Sequence, residues 1–523
     1  MGDPDRRTRH LLEQAAIRGD PAPPGDPSGL LAWLGSCGPA DPPGVGRYLT
    51  QIWRERADLQ EAFPGLFLDP EQRGRFLLWA HHFAASEADA PPELVPAPPA
   101  GVTDLAPPVI DGPPPTLQQG TTVVGYLRAV LGLGGSARRL AHLAALAGEV
   151  VSTRSYDHIG SPLDHPWPGA AAEAGAATRA TADRNDVVVL CVNGSETARL
   201  TRALGAAALH GRYRIGLWFW ELEVLPASMA AGFAYLDEVW VTSSFVRDAV
   251  AAAAPPHIAV RVIPLGTDLA VSPAEAGLAI SRTMLGLPPD AMLLGISFDY
   301  ASRVERKNPL GLINAFRRAF PEPFSLGRER GPWLVLKTLN AGLHPEDSAA
   351  VAAAARSAGD DVLIIDRQFS FPEQRAYLRE LDVLVSLHRS EGYGNSLLEA
   401  MGHAHPVIAT GYSGNLEFMS DENSWLVPYV YTAVPAGSAI YPEGSRWADP
   451  DLDAAAVMMR AVVAALGGRD GGDGDLGDGG EGREVREVLA RAARGAADVA
   501  AVNNGSPGAA FIRRRLAEIR AGR

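Results

Sequence analysis

The sequence predicts an α/β fold: two doubly wound parallel sheets facing a cleft, preceded by a helical extension. Three observations carry this expectation. From Thr121, short β-branched runs alternate with helical runs, the signature of a parallel sheet covered on both faces. The alternation restarts after a proline-containing stretch near Met292. Residues 1–90, by contrast, repeat apolar side chains at helical spacing.

In chain order, RTRHLLEQAA, VGRYLTQIWRERADLQEAF and PEQRGRFLLWAHHFAAS read as helices. A proline-rich run from Pro91 to Pro115 follows; it suits neither a helix nor a central strand and reads as a connector. TTVVGYL is a strand, LGLGG a turn and SARRLAHLAALAG a helix; VVVLCVN, YRIGLWFWE, EVWVTSS and AVRVIPLG are further strands, with helices from Pro226 and Phe245. The second series has strands MLLGISFD, WLVLKTL, DVLIID, DVLVSLH and PVIAT, separated by helices KNPLGLINAFRRAF, PEDSAAVAAAARSA, PEQRAYLREL and NSLLEAMG. Domains are accordingly expected at 1–118 (helical, with the connector), 119–280, 281–466, a linker at 467–482 and closing helices at 483–523. The run GGRDGGDGDLGDGGEG reads as a disordered acidic linker, since its one irregular likeness to calcium-binding repeats has no stacking partners.

A chain of 523 residues is too long for one core, and 46% hydrophobic with 21% charged residues is ordinary for a globular protein. The net charge of −14 argues against nucleic acid and against a polybasic membrane contact, leaving a local basic pocket and a peripheral membrane contact open. The N-terminus has no apolar signal core, and no apolar run reaches membrane-spanning length. Of two cysteines, Cys191 lies inside a strand and Cys37 is remote from it, so a reduced, cytoplasmic setting is expected.

The most informative stretch runs from Asp382 to Tyr429. Glu391 closes an apolar strand, and Glu399 lies eight residues on, in the helix after the Gly392-Tyr393-Gly394 turn. Such a junction offers backbone N–H groups, here of Gly392, Gly394 and Asn395, to a phosphate. The flanking carboxylates suit hydroxyls, and the combination suits a sugar nucleotide. Asn395 is read as a helix cap or a nucleotide contact. Arg306 and Lys307 stand just before a helix start at Asn308 or Pro309, a diphosphate-binding arrangement; Arg303 leaves open which arginine partners Lys307. The only lysines among 47 basic residues are Lys307 and Lys337, which makes Lys337 a further phosphate candidate, chance retention being the alternative. Ser413, Gly414 and Asn415 form a loop after PVIAT that could wrap a diphosphate by main-chain N–H groups. In the first half, Gly132, Gly134 and Gly135 mark the first strand-to-helix turn, short of a dinucleotide fingerprint. Trp218, Trp220, Glu221 and Glu223 end a strand, either gripping an acceptor sugar or filling the core. His388 reads equally as a donor-sugar contact or an ordinary strand-end histidine. No zinc-type spacing, paired-aspartate motif, nucleophile elbow or P-loop occurs, so neither metal nor cofactor is expected.

E-x7-E within EGYG…EAM resembles the mark of the retaining GT-B glycosyltransferases of family 4, and RKNP is similar to a segment of one of its subgroups. LGLGGSAR resembles that subgroup's LGVGEAAR, departing at Gly135 and Val130, so acceptor contacts from acids there do not carry over. The likeness spans Thr121 to Asp449. It implies two Rossmann-like domains, a first for the acceptor and a second for the nucleotide sugar, with a C-terminal helix returning to the first. It implies transfer of a hexose-type sugar from a nucleoside-diphosphate sugar to a hydroxyl of a glycan or small-molecule acceptor, with retention and without metal. Arg306 and Lys307 would hold the diphosphate, Glu399 the ribose, and Glu391 would orient the sugar. A catalytically inactive sugar-nucleotide binder and a GT-B epimerase or phosphorylase are the other readings. Residues 1–115 are either an assembly module or a cap on the first sheet.

Overall fold

Two six-stranded parallel sheets dominate the computed structural model, which describes residues 6–18, 26–56, 59–60, 63–88, 90–96, 115–129, 132–156, 184–205, 208–267, 281–435, 440–467 and 480–523. The first comprises β1 (Gln118–Gly125), β2 (Val151–Ser155), β3 (Asn185–Cys191), β4 (Tyr213–Leu217), β5 (Glu238–Val241) and β6 (Ala259–Val262), in the order β2-β1-β3-β4-β5-β6. The second comprises β7 (Leu293–Asp299), β8 (Trp333–Leu339), β9 (Val362–Asp366), β10 (Val383–Ser386), β11 (Val407–Thr410) and β12 (Trp425–Val427), in the order β12-β11-β10-β7-β8-β9. Both are doubly wound, as expected. In each, the winding reverses at one point, between β1 and β3 and between β7 and β10, where such sheets open a crevice at their carboxyl edges.

The central strands are apolar throughout because both faces are covered: Val187, Val189, Leu190, Leu294, Val383 and Val385 are at most 1% exposed. β2, which the sequence reading left unassigned, is a half-exposed edge strand with the polar sequence VSTRS, so it lacks that apolar signal. An antiparallel ribbon, β13 (Tyr429–Ala433) and β14 (Arg446–Pro450), was likewise not anticipated.

The N-terminal helices are α1 (Arg6–Arg18), α2 (Pro27–Gly35), α3 (Arg47–Glu55) and α4 (Pro70–Ala88). Their core holds Tyr48, Ile52, Leu66 and Phe76 and, among the described residues, includes none of either sheet. The long helix expected over 45–63 stops at Glu55, where the Arg56 amide bonds back to Trp53. The unanticipated α2 begins at an Asp26 cap followed by Pro27, a start signal present in the sequence.

Around the sheets lie α5 (Gly132–Leu146), α6 (Gly194–Leu204), α7 (Ser244–Ala253), α8 (Pro309–Ala319), α9 (Pro345–Ala358), α10 (Phe371–Glu380), α11 (Asn395–Gly402), α12 (Leu452–Gly467), α13 (Gly480–Asn503) and α14 (Ser506–Ala521). One expectation is corrected here: Gly132, Gly134 and Gly135 are not a turn but the first turn of α5. Close packing explains the glycine in this helix, since a Cβ on Gly134 would meet the Tyr126 and Ala129 carbonyls at 2.6 Å. Val130, most of the proline-rich connector and residues 468–479 of the acidic run lie outside the described residues.

α13 packs on the second body, with Val485 and Val488 in one core layer and Val499 in the other. After Gly505 the chain crosses to the first body, where Ile512 and Leu516 of α14 join Val123 and Leu140. Arg515 clamps the fully buried Glu238 of β5 at 2.6 Å, and Arg520 reaches Glu149 at 2.7 Å and Asp186 at 2.8 Å. The terminal helix thus returns to the first body.

Candidate active site

The chain after β7 and the chain after β10 meet at the second sheet's winding reversal, and this meeting assembles the cluster. A one-turn helix, Val304–Lys307, ends at Asn308, whose left-handed backbone (φ 53°) turns the chain into α8. The Asn308 side chain accepts from the Gly311 amide (3.1 Å) and donates to the Leu387 carbonyl (2.9 Å), tying the two segments together. Asn308 is therefore the cap and Pro309 the first helical residue, as the sequence indicated.

Arg306, 3% exposed, reaches the Glu391 carboxylate at 3.3 Å and donates to the Ser390 carbonyl at 2.9 Å. Lys307 donates to the other Glu391 oxygen. Arg303, at a positive φ (65°), starts the one-turn helix, and Arg306 shares the Glu391 carboxylate with Lys307. Burial alone would raise the Glu391 carboxyl, but Lys307, Arg306 and His388 outweigh it and hold the group at about 2. Lys307 is drawn below its ordinary value by burial, with Glu391 opposing. Arg306, although buried, is held above its ordinary value by Tyr441, Glu221 and Glu391.

Strand β10 ends at Ser386, so Glu391 sits in the loop beyond it rather than closing the strand. The reason is His388, fully buried: it bonds Ser386 Oγ (3.1 Å) and Asn415 Oδ1 (3.2 Å), pinning this loop to the one after β11. Burial lowers its pKa, with Glu391 opposing. Ser413 Oγ accepts from the Glu391 amide (2.7 Å), and the Gly414 amide donates to the Glu391 carbonyl (2.8 Å). Ser413, Gly414 and Asn415 thus brace Glu391 and His388. Asn395 is not a cap: Gly394, left-handed at φ 91°, takes that position, and Asn395 is the first helical residue. Glu399, on the same helix, accepts from Thr267 Oγ1 of the first body at 3.1 Å. Lys337 lies elsewhere, on β8, its ammonium over the Phe369 ring at 5.1 Å. Burial lowers its pKa against the pull of Asp299 and Asp366.

The first body supplies mostly backbone. Ser390 Oγ donates to the Glu221 carbonyl, and Ser243 Oγ donates to the Gly392 carbonyl at 2.7 Å. A Cβ on Gly392 would meet the Trp220 carbonyl at 2.6 Å, which is why only glycine fits there. The Glu221 carboxylate faces Arg306 at 3.7 Å. Trp220 is a core residue, 5% exposed, edge-on to Tyr441, and Trp218 is fully buried. Gly132 of α5 faces Asn395 across the cleft: its added Cβ would stand 3.7 Å from Asn395 Nδ2. Gly134 and Gly135, in the same first turn of α5, instead face Tyr126, Ala129 and Arg138.

Sequence reasoning missed Ser243, Thr267, Ser390 and Tyr441. Tyr441, in the segment joining β13 to β14, and Trp447 of β14 are buried in the first body's core beside Trp220. No local motif marks them; the recurrence of four aromatics from Tyr429 to Trp447 was the available signal. Among the described residues, no group of three or more His, Cys, Asp or Glu is placed to hold a metal ion, and no helix is long and apolar enough to cross a membrane.

The family model that matches is described as glycosyl transferases group 1, over residues 302–433, the segment holding the cluster. No curated protein matches. Among solved structures, sucrose-phosphate synthase from Thermosynechococcus elongatus is 17% identical, covers 78% of this chain and 100% of its own, and superposes with a TM-score of 0.50. A glycosyltransferase from Rickettsia africae is 14% identical over 77% of this chain and 97% of its own, TM-score 0.49. Anabaena Alr3699/HepE, in complex with UDP and glucose, is 14% identical over 78% and 100%, TM-score 0.47. The chain therefore has the two-domain, Rossmann-like GT-B fold, and the part of it that gathers Arg306, Lys307 and Glu391 is the part that matches the group 1 glycosyltransferase model.

Proposed function

We propose that the protein is a retaining, family 4-like glycosyltransferase that moves a hexose-type sugar from a nucleoside-diphosphate sugar to an acceptor hydroxyl, without metal, in the cytoplasm. The observation that carries the reading is the convergence of Arg306 and Lys307 on Glu391 at a carboxyl-edge crevice, inside the group 1 domain. Two cations beside the free amides of the α11 N-terminus form a place for a diphosphate. As the sugar–phosphate bond breaks, negative charge grows on the departing phosphate, and cations already fixed by burial stabilise it without reorganising. Glu391, held at about 2, is a permanent anion at neutral pH. It therefore serves as a hydrogen-bond acceptor for sugar hydroxyls and an electrostatic partner of the anomeric centre, not as a proton donor. The acceptor oxygen bonds to the anomeric carbon on the face the phosphate leaves, and its proton passes to the departing phosphate. Glu399 would accept from the ribose hydroxyls, displacing Thr267. Ser413, Gly414, Asn415 and His388 support Glu391, and Glu221 keeps Arg306 aimed.

The test is thermal stabilisation by UDP-, GDP-, ADP- and dTDP-sugars, with Glu399→Ala alongside. One nucleotide class should stabilise the wild type in proportion to its saturation. The variant should bind that nucleotide more weakly by about 1–3 kcal/mol. No shift with any of the four, or equal binding by the variant, would remove the assignment.

A further inference from the structure

Three segments of the chain meet at the loop after β6, around Leu265 to Thr267. Thr267 Oγ1 of the first body donates to Glu399 Oε1 of α11 at 3.1 Å. The Thr267 amide donates to Asn503 Oδ1 at 2.8 Å. Asn503 ends α13, two residues before Gly505, where the chain passes from the second body to the first. Arg139 of α5 donates to the Leu265 carbonyl at 3.1 Å and to the Asn503 carbonyl at 2.8 Å, so it ties the loop to the crossover.

The loop is fitted closely. A Cβ on Gly266, left-handed at φ 64°, would collide with Asn503 Oδ1. The hydroxyl of the buried Tyr393, in the turn before α11, lies against the Gly266 backbone. The Thr267 hydroxyl therefore reaches Glu399 from a backbone anchored at its own amide and at the two residues before it. It is a neutral donor on a carboxylate, and a ribose hydroxyl at the same atom would be the same.

Resting on the glycosyltransferase reading, with Glu399 as its ribose acceptor, we propose that Thr267 is a built-in competitor of the donor ribose and that Asn503 holds it in place. A carboxylate grips two vicinal hydroxyls with both its oxygens, one hydroxyl to each. With Thr267 on Oε1, the nucleotide makes its full set of contacts only in molecules where Thr267 has let go. Its apparent affinity is the intrinsic one reduced by the fraction of molecules in that state. The coupling runs both ways. A bound ribose removes the Thr267 tie between the bodies, and loosening Asn503 at the crossover favours the donor.

The test is calorimetric titration of the full chain with UDP, GDP, ADP and dTDP, and with the 2′,3′-dideoxynucleoside diphosphates of the same bases. It compares wild type, Thr267→Val, Thr267→Ser, Asn503→Ala and the double variant Thr267→Val/Asn503→Ala, with matching melting temperatures confirming the fold. Thr267→Val keeps the side-chain shape without the hydroxyl and should bind the accepted nucleotide about fivefold more tightly. Thr267→Ser keeps the hydroxyl and should bind like the wild type. Asn503→Ala should tighten binding too, and the double variant should gain no more than Thr267→Val alone. The dideoxy analogue has no hydroxyl for Glu399 and should bind all five proteins alike. Equal or weaker binding of the accepted nucleotide by Thr267→Val overturns the inference. So does an equal gain for the dideoxy analogue, which would report a generally loosened cleft. An Asn503→Ala protein that binds like the wild type, or whose gain adds to that of Thr267→Val, removes Asn503 from the device. Nucleotide binding by the wild type with no gain in Thr267→Val sinks only the competition, whereas failure of the wild type to bind any of the four sinks the glycosyltransferase reading.

Discussion

The carboxyl edges of the two sheets are built differently. The second gathers charge: Arg306, Lys307 and Glu391 lie mostly buried in one network with the buried His388 behind it. The first gathers shape: it offers the Glu221 and Trp220 carbonyls, the Ser243 hydroxyl and close-fitting glycine contacts. Buried ions must be fixed by many partners or their desolvation is uncompensated. That explains why the second edge is braced by three loops, while the first contributes α7 to one wall of a half-exposed pocket between the two bodies. The difference teaches that electrostatic work is concentrated on one body and fit on the other.

Breaking the charged edge should have the largest effect. Glu391→Ala leaves two buried cations without their carboxylate and should lower stability by about 3–5 kcal/mol, read by urea unfolding, and abolish transfer. A loss below about 1 kcal/mol would show the edge to be more hydrated than its burial indicates. The same pair sets an acid limit. Because the folded Glu391 value is depressed, its contribution is complete above the unfolded value near 4.5 and is lost as pH falls towards about 2. Unfolding free energies measured through that window should decline in the wild type more steeply than in Glu391→Gln.

A steric break between the edges should come next. A Cβ on Gly414 would collide with the Gly392 carbonyl and stand 2.8 Å from that of Glu391. Gly414→Ala should therefore destabilise by about 1–3 kcal/mol and raise KM for the donor. A melting temperature equal to the wild type would mean that this loop shifts freely. The smallest effect, and of opposite sign, belongs to the first edge. Gly135 lies within α5, and its added Cβ would find nothing nearer than Arg138 at 3.8 Å. Gly135→Ala should stabilise by about 0.5–1 kcal/mol by calorimetry, since helical glycine is entropically costly. Destabilisation there would mean that the first edge is as tightly fitted as the second.

Legibility followed the same division. The cluster at the second edge was readable because its parts sit in short contiguous motifs, RKNP and EGYG, each beside a strand end. Lys337 was singled out by composition alone, and composition says nothing of direction; its side chain lies over Phe369. Trp220 looked equally like a sugar platform or core, and Tyr441, which covers it, was too distant in sequence to weigh. The glycines of α5 read as a turn because glycine disfavours helices, yet close packing against Tyr126 and Ala129 explains the glycine at 134. β2 and the ribbon escaped notice because half-exposed strands carry no continuous apolar run.

By itself the sequence determined the alternation of strands and helices, the two doubly wound series, and the residue types at each strand end. These are local matters of period, propensity and capping. Only the tertiary structure decided which charged groups meet, and that Arg306 faces Glu391. It alone placed Ser243, Thr267 and the aromatic ribbon of one body against the other. The physical reason is that pairing and burial depend on distances between segments more than 80 residues apart, such as Lys307 and Glu391, and no local spacing encodes those distances.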